Sequence, residues 1–264
     1  MKKFYLILVA LLIFGGGALA CTTGRIDKVV VDKKTAVLPD TETKIPIIMY
    51  HYVRVVDAKK DPLGYNLSIN PPDFEKQMKY LKDQGYTTIH LADLIDGKVP
   101  KKAIVLSFDD GLEDFYTTAL PILQKYGFTA SDAVITGMIG AHEHMTDEQI
   151  RGSIKAGIEI TSHTIKHLDL PKQTAAEIKK QLVESKNYLE KTFGLTVVGF
   201  IYPSGKFNDA VVQALKDAGY KIAATTQYGE ADLAKNKMLL LPRVRIDNRD
   251  GYNGFVKKLE VVAK

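Results

Sequence analysis

The chain has 264 residues, of which 45% are hydrophobic and 25% charged, with a formal net charge of +5. These values are ordinary for a globular domain and exclude a chain too polar to bury a core. A single cysteine excludes an internal disulfide framework, and no cluster of basic and aromatic residues points to nucleic acid.

Residues 1–20 read as an export signal. Lys2 and Lys3 form a basic start, an apolar run extends from Phe4 to Phe14, and Gly15-Gly16-Gly17-Ala18-Leu19-Ala20 is a small-residue exit. The apolar run is well short of a bilayer span. Two processing routes stay open. Ala18-Leu19-Ala20 fits ordinary cleavage and secretion. Ala18-Leu19-Ala20-Cys21 also resembles a bacterial lipoprotein box, although Ala18 stands where Leu is usual. The second route is favoured, because the sole cysteine falls where lipid attachment needs it; Cys21 would then anchor the protein to a membrane, facing the cell envelope. Without Lys2 and Lys3 the net charge is +3. That suits either an anionic envelope or polymer, or an ordinary solvated surface.

Residues 21–44, rich in Thr, Lys and Asp, are expected to form a tether with a short strand at 28–31, and a single folded domain is expected over 45–264. The first strand covers 45–50 and ends at His51. Residues 54–66 read as a loop. A helix starts at Pro71-Pro72-Asp73, places Phe74, Met78 and Leu81 inside and stops at Gly85. A strand at 87–90 and a short helix at 91–96 follow. Strand 103–108 precedes a helix at 117–126, strand 130–136, a helix at 147–156 and strand 158–161. A long helix at 174–193 offers Ala175, Ile178, Leu182 and Leu189 as inner residues. Strand 197–202, a helix at 209–218 and strands 222–226 and 239–246 complete the pattern. Strand and helix alternate throughout, with a glycine after nearly every helix, which predicts a parallel α/β fold, and the repeat count points to a barrel.

The chemically loaded residues follow strands, where barrel sites are built. The run Ile104-Val105-Leu106-Ser107-Phe108 ends in Asp109-Asp110-Gly111. Adjacent carboxylates repel unless a cation or a shared proton compensates; taken alone, the pair also reads as a solvated turn. About fifty residues on comes Ser162-His163-Thr164-Ile165-Lys166-His167. On a helical turn the i, i+4 spacing of His163 and His167 would put both imidazoles on one face, able to grip one ion. One Asp and two His suit zinc or a similar divalent metal, which leaves the second Asp free as a base.

Ser107-Phe108-Asp109-Asp110-Gly111, Ser162-His163-Thr164-Ile165-Lys166-His167 and Tyr202-Pro203-Ser204-Gly205, in that order, resemble the first three motifs of the polysaccharide deacetylases, the NodB-homology family or carbohydrate esterase family four. The resemblance covers roughly residues 45–247. Ile47-Ile48-Met49-Tyr50-His51-Tyr52-Val53 and Leu241-Pro242-Arg243-Val244 are similar to the branch containing poly-N-acetylglucosamine deacetylases of biofilm matrix. The resemblance implies a distorted (β/α) barrel and an N-acetylated polysaccharide as substrate. It implies Asp109 as general base, Asp110, His163 and His167 as ligands of a divalent metal, zinc first with cobalt, nickel or manganese as alternatives, the Ser204 backbone N–H at the oxyanion, and Thr164 as a brace.

Three departures from the family pattern stand out. Ile201 occupies the place of an Arg that pairs with the base, and Arg243 is the proposed replacement. The Asp and Trp of the fourth motif are not evident, and the chain has no Trp. No His follows His167 to supply the usual acid, so His51 is the substitute. Plainer readings remain beside these: His51 as a buried histidine, Arg243 as a structural ion-pair partner, His142 and His144 as a surface loop rather than a metal pair, His90 as strand-end packing, and Tyr202 as either pocket wall or core. The leading function is removal of N-acetyl groups from poly-N-acetylglucosamine or peptidoglycan. The alternatives are an O-acetyl esterase acting on a xylan-like polymer and an inactive carbohydrate-binding protein of the same fold.

Overall fold

The computed structural model describes residues 43–262. The expected export signal, Cys21 and the strand expected at 28–31 lie outside the described residues.

Eight parallel strands take up the apolar runs: β1 Ile47–Tyr50, β2 Thr87–Ile89, β3 Ala103–Phe108, β4 Ser131–Val134, β5 Glu159–Ser162, β6 Gly199–Ile201, β7 Ile222–Tyr228 and β8 Leu241–Arg245. Seven of them close a barrel in the order β1-β8-β7-β6-β5-β4-β3 and back to β1. The distortion sits at β3. Its first half pairs with β2, Thr87 opposite Ala103 and Ile89 opposite Val105; its last residues pair with β4, Ser107 opposite Ser131 and Phe108 opposite Asp132. The other edge of β3 pairs with β1 from Val105 to Phe108. A single edge therefore changes partner, and β2 splays away from the ring. The fold is the distorted (β/α) barrel expected from the sequence.

Alternation along the strands sorts the core into two layers. Ile47, Val105, Ala133, Ile201, Ile222 and Leu241 pack together inside the barrel. Their neighbours Ile48, Leu106, Val134, Phe200 and Val244 pack against the helices. Those helices are α1 Pro71–Asp83, α2 Leu120–Tyr126, α3 Asp147–Lys155, α4 Ala175–Phe193, α5 Asp209–Asp217 and α6 Gly251–Val262. Local chemistry starts most of them. Asn70, Thr146, Thr174 and Asn208 each accept a backbone N–H of the first turn, and Thr146 with Gln149 completes a capping box.

The differences from the sequence reading have physical causes. The helix expected at 117–126 begins as a widened turn, Phe115–Ala119, before α2; Pro121 has no N–H to donate to Thr117, and the wider turn absorbs the lost bond. The loop expected at 54–66 contains a one-turn helix, Pro62–Tyr65, capped by the Asp61 carboxylate. Ala175, the first residue of α4, is exposed rather than inner; the buried stripe begins one turn later, where Gln181 and Ser185 share it with Ile178, Leu182 and Leu189. The C-terminal helix α6 was not anticipated. It buries Phe255, Leu259 and Val262 and meets α1 through Tyr80 against Phe255, with ring centroids 6.3 Å apart.

One buried group stands out. Asp132 on β4 is 0% exposed, faces the helix layer beside Val134, and neither carboxylate oxygen has a partner among the described residues. Burial pushes its carboxyl well above the usual range, and the charges of Asp109, Asp110 and Asp114 act the same way. A carboxyl that holds its proton more tightly folded than unfolded costs stability as pH rises above the unfolded value, by about 1.4 kcal/mol per pH unit until the folded group ionises. Asp132→Asn abolishes that dependence. Its stability relative to the parent in urea unfolding is expected to grow as pH rises above the unfolded carboxyl value of about 4; parallel pH curves would contradict a protonated Asp132.

Candidate active site

The singled-out residues meet at the C-terminal mouth of the barrel. His51 follows β1, Asp109 and Asp110 follow β3, His163 follows β5, Ser204 lies in the turn after β6, and Arg243 belongs to β8.

The Arg243 side chain is 0% exposed. Its Nη1 and Nη2 donate to Asp109 Oδ1 and Oδ2 at 2.6 and 2.8 Å. Nε donates to Thr225 O at 2.8 Å, and Nη1 also reaches Ser107 Oγ at 3.0 Å. Burial works to raise the Asp109 pKa, but the charge and hydrogen bonds of Arg243 outweigh it and hold the carboxyl below the usual range. The fork occupies one lone pair on each oxygen and leaves others free to accept a proton. His51 Nε2 stands 3.8 Å from Asp109 Oδ2, beyond hydrogen-bond length. Burial lowers the His51 pKa from its ordinary value, against the smaller upward pull of Asp109 and Asp110.

Asp110 Oδ1 lies 3.4 Å from His163 Nε2 and 3.8 Å from His167 Nε2, and one ligand atom from each residue falls within 4.8 Å of the others. His163 Nδ1 is 2.7 Å from the Ile201 carbonyl oxygen. A carbonyl can only accept, so Nδ1 carries the hydrogen, and a neutral ring then turns the Nε2 lone pair toward Asp110. Lone pair and carboxylate at that separation require a cation or a proton between them. Burial works against a proton on His163, but the Asp110 hydrogen bond and charge overcome it and raise the pKa. Two imidazoles and a carboxylate converging on one point also fit a divalent cation.

The His163–His167 spacing does not work through a helix, as the sequence reading had it. Thr164 and His167 both have left-handed backbones, with φ of 69° and 53°. They form a tight turn in which His167 N donates to Thr164 Oγ1 at 2.9 Å. The turn is held from α4, where the buried Gln181 accepts from Ile165 N at 3.0 Å and Lys166 N at 2.9 Å through Oε1. On the other side Gly137 N donates to Ile165 O at 2.9 Å, and a Cβ on Gly137 would lie 2.4 Å from that oxygen. Sequence reasoning missed both residues. The available signal was a glutamine inside the apolar stripe of α4.

Backbone strain concentrates here. Asp110, Thr164, His167 and Ser204 all have positive φ, a costly state for a β-branched residue such as Thr164. Ser204 is followed by Gly205 at φ 68°, where a Cβ would come within 2.0 Å of Thr226 Oγ1. The remaining candidates sort plainly. Tyr202 is core, its hydroxyl donating to Leu239 O at 3.0 Å. His90 packs against Thr129 Oγ1 at 2.6 Å and Gly157 O at 2.9 Å. His144 Nδ1 meets His142 O at 2.9 Å, and this pair belongs to no metal-ligand group among the described residues.

A sequence model of the family described as polysaccharide deacetylase matches residues 96–223. The structure resembles the Streptococcus pyogenes deacetylase PplD, solved in complex with acetate, with a TM-score of 0.76 and 33% identity, covering 81% of this chain and 97% of that one. It also resembles BC0361, a polysaccharide deacetylase from Bacillus cereus, with a TM-score of 0.74 and 30% identity, covering 82% of this chain and 69% of that one. A poly-beta-1,6-N-acetyl-D-glucosamine N-deacetylase of Staphylococcus aureus (strain MSSA476) is 28% identical over 211 residues, 73% of this chain and 72% of that protein.

Gln181→Leu removes the acceptor that shapes the histidine turn. Zinc affinity, measured by competition with a chromophoric chelator, is expected to fall about 10–100-fold; unchanged affinity would mean the turn keeps its shape without Gln181.

Proposed function

Because the chain belongs to the polysaccharide deacetylase family, we propose that this hydrolase is a metal-dependent N-deacetylase of an envelope amino-sugar polymer, poly-N-acetylglucosamine before peptidoglycan. The observation that carries the reading is the convergence of Asp110, His163 and His167 beside a carboxylate gripped at two points by a buried arginine. The similarity to the Staphylococcus aureus enzyme supports the choice of polymer.

Asp110, His163 and His167 hold the metal in this reading, zinc first, with cobalt, nickel and manganese suited to the same donors. When bound, such an ion polarises the acetyl carbonyl and acidifies water. Asp109, ionised at neutral pH, accepts the proton of the attacking water while Arg243 fixes its orientation. The Ser204 backbone N–H faces the developing oxyanion. His51, neutral at the outset, takes up that proton and delivers it to the departing nitrogen, so that acetate and a free amine leave. The domain spans 45–264 behind a tether at 21–44, and Cys21 anchors it by lipid to a membrane facing the envelope.

The test is acetate release from N-acetylglucosamine oligomers by residues 22–264, after chelation and again with zinc restored. Acetate and free amine are expected in equal amounts and only with metal. Acetate from an O-acetylated xylan alone would favour an esterase, and metal binding without acetate from any polymer would favour a binding protein. Asp109→Asn is expected to lower turnover at least about 100-fold with metal content unchanged; full activity would remove Asp109 as the base. Cys21→Ser is expected to move the full-length protein from the membrane fraction to the soluble one, and continued membrane association would exclude the lipid anchor.

A further inference from the structure

Strand β7 does not run in even register with β8. Ala224 stands opposite Leu241 and Tyr228 opposite Arg243, so β7 places extra residues where β8 advances only from Leu241 to Arg243. The residue of β8 between those pairs is Pro242. It has no N–H to give to a ladder, and β7 bulges opposite it. Bulges beside active sites re-aim the groups they carry. In this one Thr225 is buried, whereas Thr226, Gln227 and Tyr228 are exposed.

The Thr225 hydroxyl braces the bulge at two points. Oγ1 donates to Leu241 O on β8 at 3.3 Å and accepts from Gln227 N at 3.1 Å. The carbonyl of the same residue accepts from Arg243 Nε at 2.8 Å, and the other two nitrogens of that guanidinium hold Asp109. A guanidinium is a rigid planar fork, so a bond at Nε sets the direction in which Nη1 and Nη2 point. The next residue meets the other half of the site. Thr226 Oγ1 reaches Ser204 O at 3.5 Å, and a Cβ on Gly205 would lie 2.6 Å from Thr226 N. One bulge therefore touches both the arginine behind Asp109 and the turn that carries Ser204.

We propose that Thr225 is a positioning residue for the deacetylation: its hydroxyl holds the β7 bulge in the shape that presents its own carbonyl to Arg243 Nε, and so sets the angle at which Arg243 grips Asp109. The inference rests on the N-deacetylase reading above. Thr225 touches neither the metal ligands nor the substrate in that reading and acts only through Arg243. Its loss therefore falls on the chemical step and leaves metal and polymer binding in place. The hydroxyl is the necessary part, because the carbonyl is present in every residue but is aimed only while the bulge keeps its shape.

The experiment compares Thr225→Val, which keeps the branched shape without the hydroxyl, with Thr225→Ser, which keeps the hydroxyl; Thr225→Ala replaces the first if it does not fold. On N-acetylglucosamine oligomers Thr225→Val is expected to lower kcat about 10–100-fold, with KM and zinc content unchanged, and Thr225→Ser to restore kcat to within about threefold of the parent. In an Arg243→Lys background the same Thr225→Val change is expected to cost no more than about twofold, because both act through one contact. Solvent exchange of the Arg243 Nε–H, followed by NMR, reports the contact without turnover and is expected to quicken at least about tenfold in Thr225→Val. Losses that add in the double variant, a Thr225→Ser as slow as Thr225→Val, or unchanged Nε–H exchange would overturn the proposal. Quickened exchange in Thr225→Val with no acetate from the parent would instead support the hold of Thr225 on Arg243 and contradict the deacetylase reading.

Discussion

The site depends on one buried ion pair. Arg243 enters from β8 and Asp109 from the end of β3, and their two-point contact ties these strands together at the barrel mouth. Taking both charges out of water carries a large desolvation cost, which only good geometry and further hydrogen bonds offset. The Thr225 carbonyl and the Ser107 hydroxyl supply those bonds. Removing one partner of such a pair typically costs about 3–5 kcal/mol. The pair fixes the orientation of a carboxylate that stays ionised and sits beside the three convergent ligand groups.

The barrel supplies the remaining precision by strain and by remote support. Left-handed backbones at Asp110, Thr164, His167 and Ser204 re-aim side chains that ordinary strand ends would point elsewhere. Gln181 reaches in from α4 to hold the histidine turn, and the Ile201 carbonyl orients His163. Ile201 thus contributes through its backbone carbonyl. Its own side chain fills the barrel interior, and the guanidinium that grips Asp109 arrives from β8.

Much of this was legible in the sequence because it depended on local pattern. The apolar run at 103–108 gave β3 residue for residue, and the alternation of strands and helices gave the barrel. The i, i+4 spacing of His163 and His167 correctly pointed to proximity but for the wrong reason, since a turn and not a helix joins them. Nothing local distinguishes the two, because the positive φ of Thr164 is imposed by Gln181 and Gly137 from elsewhere in the chain. The splitting of β3 between β2 and β4 is likewise a property of ring closure. Asp132 was invisible for the opposite reason: a carboxylate in a strand reads as an outward, solvated residue until the helix layer is placed over it. The helix α6 could have been found from Phe255, Leu259 and Val262, whose spacing is plainly helical.

The most direct test of the central pair is Arg243→Lys, which keeps the charge but cannot grip both carboxylate oxygens. Turnover and zinc content would be measured on the same folded preparation. A misplaced base is expected to lower kcat by about 100-fold with zinc content unchanged. Full turnover in Arg243→Lys would contradict the claim that the two-point contact positions Asp109 for its work.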